Sequence, residues 1–204
     1  MAWLPAVANA SAIDATAPAR SLTTDARYMQ QWVVESGDHQ HRPFVVVDKR
    51  AARIFVFDAD GRLVDTAPVL LGQTAGDRSL HSSVSNAEVA HMPLAERITP
   101  AGRFASEPGR NLGGEAIVWF DYEAGLAIHR VRPGASQAQR LQSLAADAPT
   151  GKRASLGCVV VSPAFFDSVL QPSLGQHPGV VYVLPEDQPV QAMFGRLQPV
   201  AQSR

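Results

Sequence analysis

The sequence predicts a mainly β protein with a few short helices attached, and three observations carry that expectation. Short β-branched and aromatic runs recur between Phe44 and Leu184. Asp60-Gly61 and similar turn-forming pairs punctuate them. Helical periodicity is confined to three brief stretches. With 204 residues, 46% of them apolar, the chain can bury well over half of its unfolded surface.

Taken in order, Thr23-Thr24-Asp25 offers a helix N-cap, and Ala26, Met29, Trp32 and Val33 follow at helical spacing, so a helix is expected over 25–35. Gly37 to His41 break it. Phe44 to Val47 and Arg53 to Phe57 are strands, close enough to form a hairpin. Asp60-Gly61 then turns the chain into Leu63-Val64 and Val69 to Gly72, completing a meander. Residues 73–115 are polar and rich in glycine, with Pro93, Pro100 and Pro108. They read as a long, partly ordered excursion of the kind that frames a site. Strands resume at Ala116 to Phe120 and Leu126 to His129, a short helix is expected over 136–146, and Val159 to Val161 is a buried strand. Ser162-Pro163 opens a helix with Phe165, Phe166, Val169 and Leu170 inward. Val180 to Leu184 is the last strand, closed by Pro185. The expected organisation is a leader over 1–24, a helix and linker over 25–40, a catalytic-type domain over 41–190 and a tail over 191–204.

Several function classes are disfavoured early. A formal net charge of −1 lacks the basic surplus that nucleic acid demands. No apolar run is long enough to span a membrane. The single cysteine rules out an internal disulfide and a thiolate metal cluster. Ala8-Asn9-Ala10 has the A-x-A form of a signal-peptidase site, without a basic segment before it. It reads either as an export signal whose start has been trimmed or as a disordered Ala/Pro-rich leader. The expected location is the periplasm or outside the cell.

The informative stretch is Ser155-Leu156-Gly157-Cys158-Val159. A cysteine entering an apolar strand is either core or nucleophile. Gly157 permits close backbone approach or a positive φ, Ser155 adds a hydroxyl, and Lys152-Arg153 would favour a thiolate. A nucleophile also needs a base, and His129, at the end of a strand, is the histidine with a defined face. Other motifs fail. Gly151-Lys152 lacks the earlier glycine of a phosphate loop. His39, His41, His81 and His91 sit in loop contexts without a zinc pattern. Asp58-Ala59-Asp60-Gly61 lacks the later glutamate of a calcium loop. Only His177 follows Cys158, which disfavours a papain-like order. No cofactor or metal is expected.

Together these residues resemble an L,D-transpeptidase catalytic domain of the YkuD type, from bacterial cell-wall synthesis. Val45 to Asp58, Gly61 and Pro68 to Gly72 resemble the opening strands. Thr99-Pro100-Ala101-Gly102 resembles the family's threonine-proline-x-glycine turn, Ile128-His129 the histidine strand, Ser155-x-Gly157-Cys158 the nucleophile motif, and Val181 to Leu184 the closing strand. Leu156 stands where the family often has histidine, and Val160 where it usually has arginine. His129 and Cys158 are 29 residues apart, longer than usual, and the helix over 136–146 fits that extra length as a lid or cap.

The resemblance implies a YkuD-like β-sandwich or barrel and peptidoglycan stem peptides as substrate. It implies Cys158 as nucleophile, His129 as general base and acid, and backbone N–H groups at Gly157 and Cys158 for the oxyanion. Ser155 would support the loop, and Arg130, Arg132 and Arg153 are candidates for the missing arginine. Transfer to an amine makes an L,D-transpeptidase and transfer to water an L,D-carboxypeptidase. Loss of the arginine also suits a weakened relative that binds wall peptide or an envelope protein partner.

Overall fold

The computed structural model describes residues 21–78, 92–146 and 148–197. The Ala8 to Ala10 site, His81 and His91 lie outside them. Strands β1 (Phe44–Asp48) and β2 (Arg53–Phe57) form the expected hairpin, paired antiparallel from Phe44↔Phe57 to Asp48↔Arg53. Asp48 Oδ1 accepts the Ala51 N–H at 3.0 Å and fixes the turn. Asp58 Oδ1 accepts N–H groups from Asp60 and Arg62, and Gly61 takes φ 77°, which sets the entry to β3 (Leu63–Pro68).

All five residues of β1 are buried because both of its faces are covered. Alternation sends Val45 and Val47 into one core, with Ile54, Val56 and Val181, and Phe44 and Val46 into another, with Phe55, Phe57 and Tyr182. The second core is capped by helix α1 (Thr24–Ser36) through Ala26, Met29 and Val33. Thr23 Oγ1 accepts the Ala26 N–H at its start and Gly37, at φ 65°, ends it.

The chain then adds β4 (Leu71–Gly72), β5 (Gly102–Arg110), β6 (Ala116–Asp121), β7 (Leu126–Arg130), α2 (Gln137–Ala145), β8 (Arg153–Ser155) and β9 (Val159–Val161). A composite helix α3 over 163–173, β10 (Gly179–Val183) and α4 (Val190–Phe194) complete it. α3 begins at a cap in which Ser162 Oγ accepts the Phe165 N–H, and widens to π geometry over Phe166–Leu170. The main sheet has eight strands in the order β3-β2-β1-β10-β5-β6-β7-β9. It is parallel at β1–β10 and β7–β9 and antiparallel elsewhere. Just past β3, Leu70 exchanges both backbone hydrogen bonds with Val160 of β9, so the sheet nearly closes on itself. β4 pairs with β8 beside this seam. Among the described residues the architecture is mainly β with four short helices and one 3-10 turn at Leu94–Glu96, in keeping with a YkuD-like sandwich or barrel. Among the described residues no helix is long and apolar enough to cross a membrane.

One expectation is corrected. The polar stretch 73–115 contains β5, a nine-residue strand near the centre of the sheet. Proline within it argued against a strand. The structure resolves the conflict by dividing β5 between two partners: residues from Gly102 to Ser106 pair with β10, and those from Glu107 to Arg110 pair with β6. Pro108 therefore lies in the half with one partner, where one edge of the strand is unpaired, as on the edge strands that tolerate proline.

Behind the sheet lies a buried ionic cluster. Lys49, 2% exposed, donates from Nζ to Gly76 O, Asp77 Oδ1 and Thr99 O, and pairs with Glu186 Oε1 at 3.3 Å. Glu186 also pairs with Arg153. Burial raises the Asp77 carboxyl, but hydrogen bonds from Lys49 and from the N–H groups of Glu186 and Asp187 outweigh it and hold the group below its ordinary 3.8. Glu186 is held low in the same manner by the Gly76 N–H, Lys49 and Arg153. Carboxylates depressed this way stabilise the fold above their unfolded values of 3.8 and 4.5, and that stability is lost as pH falls through the lower folded values. Lys49→Met keeps the stem and strands the two carboxylates. It is expected to cost about 3–5 kcal/mol in urea unfolding at pH 7 and to flatten the loss of stability below pH 4.5.

Candidate active site

β7 carries His129 and β9 begins one residue after Cys158. The strands run parallel with His129 opposite Val160. Ile128, Val159 and Val161 point into the first core, whereas Val160 packs with Leu70, Val131 and Leu144 on the opposite face. His129 shares the Val160 face, and the alternation carried back two residues puts Cys158 there as well. The two are diagonal neighbours across this strand pair, His129 within β7 and Cys158 just ahead of β9.

Each group has defined partners. His129 is 8% exposed, and its Nδ1 lies 2.7 Å from Arg130 O. A ring nitrogen facing a carbonyl carries the proton, so the neutral ring leaves the Nε2 lone pair free. Burial, with the charges of Arg132 and Arg140, pulls His129 down to about 4 against the raising effect of its Arg130 hydrogen bond. Half-buried Cys158 points its thiol at Gly125 O, 3.6 Å away in the β6–β7 turn. Burial pushes the thiol above its ordinary 9.0, opposed by the Ala127 N–H and by Arg132. Both shifts favour the neutral forms, thiol and imidazole, over thiolate and imidazolium.

The loop beneath Cys158 is tied at several points. Ser155 Oγ donates to Cys158 O at 2.6 Å and accepts the Gly157 N–H at 3.1 Å. Gly157 adopts φ 133°, and a Cβ there would sit 2.8 Å from Ile98 O and 2.9 Å from Leu126 Cδ2. Only glycine satisfies both limits. Thr99 Oγ1, fully buried, donates to Gly157 O at 2.8 Å and accepts the Gly72 N–H at 2.9 Å. The stretches ending β4, opening the Thr99-Pro100 turn and preceding Cys158 thus meet at one hydroxyl. Lys49 supports that hydroxyl's residue from behind, and sequence reading missed it. Its only signal is a lysine directly after a mostly apolar strand.

The remaining sequence candidates are placed as follows. Gly157 N–H, expected at the oxyanion, is donated to Ser155 instead. Lys152 does not lean on the thiol: Nζ donates to Ser143 O, Leu144 O and Ala146 O, tying down the C-terminus of α2. Arg153 faces Glu186 in the ionic cluster. Arg130 points to the other face, pairing with Asp167 at 2.8 Å over the Phe166 ring. Arg132 differs from both, being a half-exposed cation whose field reaches His129 and Cys158, with Glu115 Oε2 3.8 Å from its Nε. Val160, in the arginine's place, is the seat on which α2 rests through Leu141 and Leu144. His39, once weighed as a zinc ligand, turns both ring nitrogens to the carbonyls of Val33 and Ala59. Among the described residues no three metal-binding side chains converge.

A mixed, nearly closed sheet with a histidine on one strand and a cysteine leading into its parallel neighbour is what fold and site define. No protein-family model and no curated protein matches the sequence. Among solved structures, the chain is similar to the catalytic domain of an L,D-transpeptidase from E. faecium, at 15% identity over 71% of this chain and 98% of that one, TM-score 0.36. It is similar to an L,D-transpeptidase from Mycobacterium smegmatis at 20% identity, over 70% and 58% of the two chains, TM-score 0.37. It is also similar to one from Stackebrandtia nassauensis at 15% identity, over 71% and 56%, TM-score 0.39. The match spans less than two thirds of the latter two.

A thiol raised by burial reacts slowly at neutral pH. Alkylation of Cys158 by iodoacetamide is expected to climb continuously with pH beyond 9.0, without a step at the ordinary histidine value of 6.5. Mass spectrometry of samples quenched across pH 5–10 checks it, and a plateau reached by pH 7 would mean a thiolate already formed.

Proposed function

We propose that this chain is a cysteine acyltransferase acting outside the cytoplasm on peptidoglycan stem peptides, as an L,D-transpeptidase. One feature supports the reading: His129 on β7 and Cys158, one residue ahead of the parallel β9, fall on one face by strand alternation, with His129 Nδ1 set by Arg130 O.

In this reading, Cys158 attacks the carbonyl that joins an L-centre to a D-residue. Because both groups are neutral at rest, the proton passes from Sγ to His129 Nε2 as the sulfur–carbon bond forms. The tetrahedral oxyanion takes a hydrogen bond from the Cys158 N–H, and a donor of this kind is commonly worth about 2.7–4 kcal/mol. The imidazolium then gives its proton to the departing D-amino acid, leaving a thioester. An amine of a second stem peptide resolves the thioester and forms the cross-link. Water in its place would make the protein an L,D-carboxypeptidase. Arg132 is the arginine suited to a substrate carboxylate. The neutral couple and the valine at 160 also fit a second reading, a relative that binds wall peptide without processing it.

Carbapenems acylate the cysteine of the resembled family, so intact mass after carbapenem treatment separates these readings. The wild type is expected to gain one adduct, Cys158→Ala none, and His129→Ala an adduct at a rate lower by about 10²–10⁴. Absence of an adduct on a folded wild type would favour the binding relative. Stem-peptide products, cross-linked or trimmed, then assign the acceptor.

A further inference from the structure

We infer that Thr99 is a positioning residue that aims the Cys158 N–H at the reacting carbonyl, acting through the Gly157 peptide unit. This deepens the function proposed above and rests on acyl transfer at Cys158.

The geometry follows from peptide planarity. Gly157 C=O and Cys158 N–H belong to one peptide unit, and in a trans unit they point in opposite directions. No cis peptide occurs among the described residues. Thr99 Oγ1 holds Gly157 O inward at 2.8 Å, so the Cys158 N–H is turned away from the interior. The threonine's own orientation is doubly determined. Its single hydroxyl proton goes to Gly157 O, and a lone pair receives the Gly72 N–H at 2.9 Å. Lys49 Nζ holds the Thr99 carbonyl at 3.1 Å. On the other side of Cys158, Ser155 Oγ fixes the following carbonyl and occupies the Gly157 N–H. The loop is thereby committed to one oxyanion donor, Cys158 N–H, and Thr99 governs its direction.

The test compares two reactions of the same sulfur. p-Nitrophenyl acetate acylates Cys158 through a tetrahedral oxyanion. The sulfur–carbon bond forms, the ester carbon–oxygen bond breaks, and p-nitrophenolate leaves. Iodoacetamide alkylates the sulfur by displacing iodide, and no oxyanion forms. Thr99→Val removes the hydroxyl at nearly constant shape. It is expected to lower the acylation-to-alkylation ratio at least tenfold, with the alkylation rate within about twofold of wild type, and Thr99→Ser is expected to restore most of the ratio. Should Thr99→Val not fold, Thr99→Ala removes the same bridge without adding a methyl and carries the same comparison. Equal loss of both rates, or an unchanged ratio, would overturn the inference and leave the proposed function standing. A wild type that alkylates normally but is acylated neither by the ester nor by a carbapenem would overturn both.

Discussion

The site depends on one constraint, the parallel pairing of β7 with β9. Parallel neighbours cannot be joined by a tight turn, so the chain must leave the sheet after Arg130 and return a dozen or more residues later. Here the crossover holds α2 and β8, which accounts for the long interval between His129 and Cys158. The same pairing fixes chemistry, because register alone decides that a residue near the start of β9 and one near the end of β7 share a face. Val160 and helix α2 are two sides of one arrangement. Valine at 160 gives α2 an apolar seat, and Lys152 closes the helix's last carbonyls. α2 is a pinned cover for this end of the sheet. An arginine at 160 would enter that contact as a buried charge.

A site so well packed has an electrostatic consequence. Burial disfavours the charged form of both groups, lowering the imidazole and raising the thiol. The counterweights are few: the Ala127 N–H and the Arg132 field for the sulfur, and the Arg130 carbonyl with the Glu115 charge for the ring. In the proposed reaction proton transfer would therefore accompany attack, and the preorganised N–H of Cys158 would carry much of the stabilisation. The buried Lys49 cluster contributes at a distance. It ties the end of β1, the Thr99 turn and the loop after β10 into a single support under the loop that precedes Cys158.

Much of this was legible in the sequence, for physical reasons. Strands such as Phe44 to Asp48 and Gly179 to Val183 are buried on both faces and read as unbroken β-branched runs. The caps at Thr23 and Ser162 announce their helices. Gly157 reads as a residue that backbone must approach closely, and Ile98 O is that backbone. β5 was hidden because its Pro108, Gly109 and polar faces contradict strand chemistry, and only the division between two partners reconciles them. Lys152 and Arg153 looked like activators by proximity along the chain. Their side chains turn instead to a helix end and a carboxylate, which spacing alone does not reveal. The turn holding Thr99 is visible in the sequence, but its bridge joins segments that lie 27 and 58 residues away, which no local pattern shows.

The central claim is that His129 is a neutral, Nδ1-protonated base beside a neutral thiol, and nitrogen-15 NMR of its imidazole in the full chain tests it most directly. The spectrum at pH 7 should give a protonated Nδ1 and an unprotonated Nε2, with the ring accepting its second proton only near pH 4. A ring protonated on both nitrogens at pH 7, or carrying its single proton on Nε2, would contradict it.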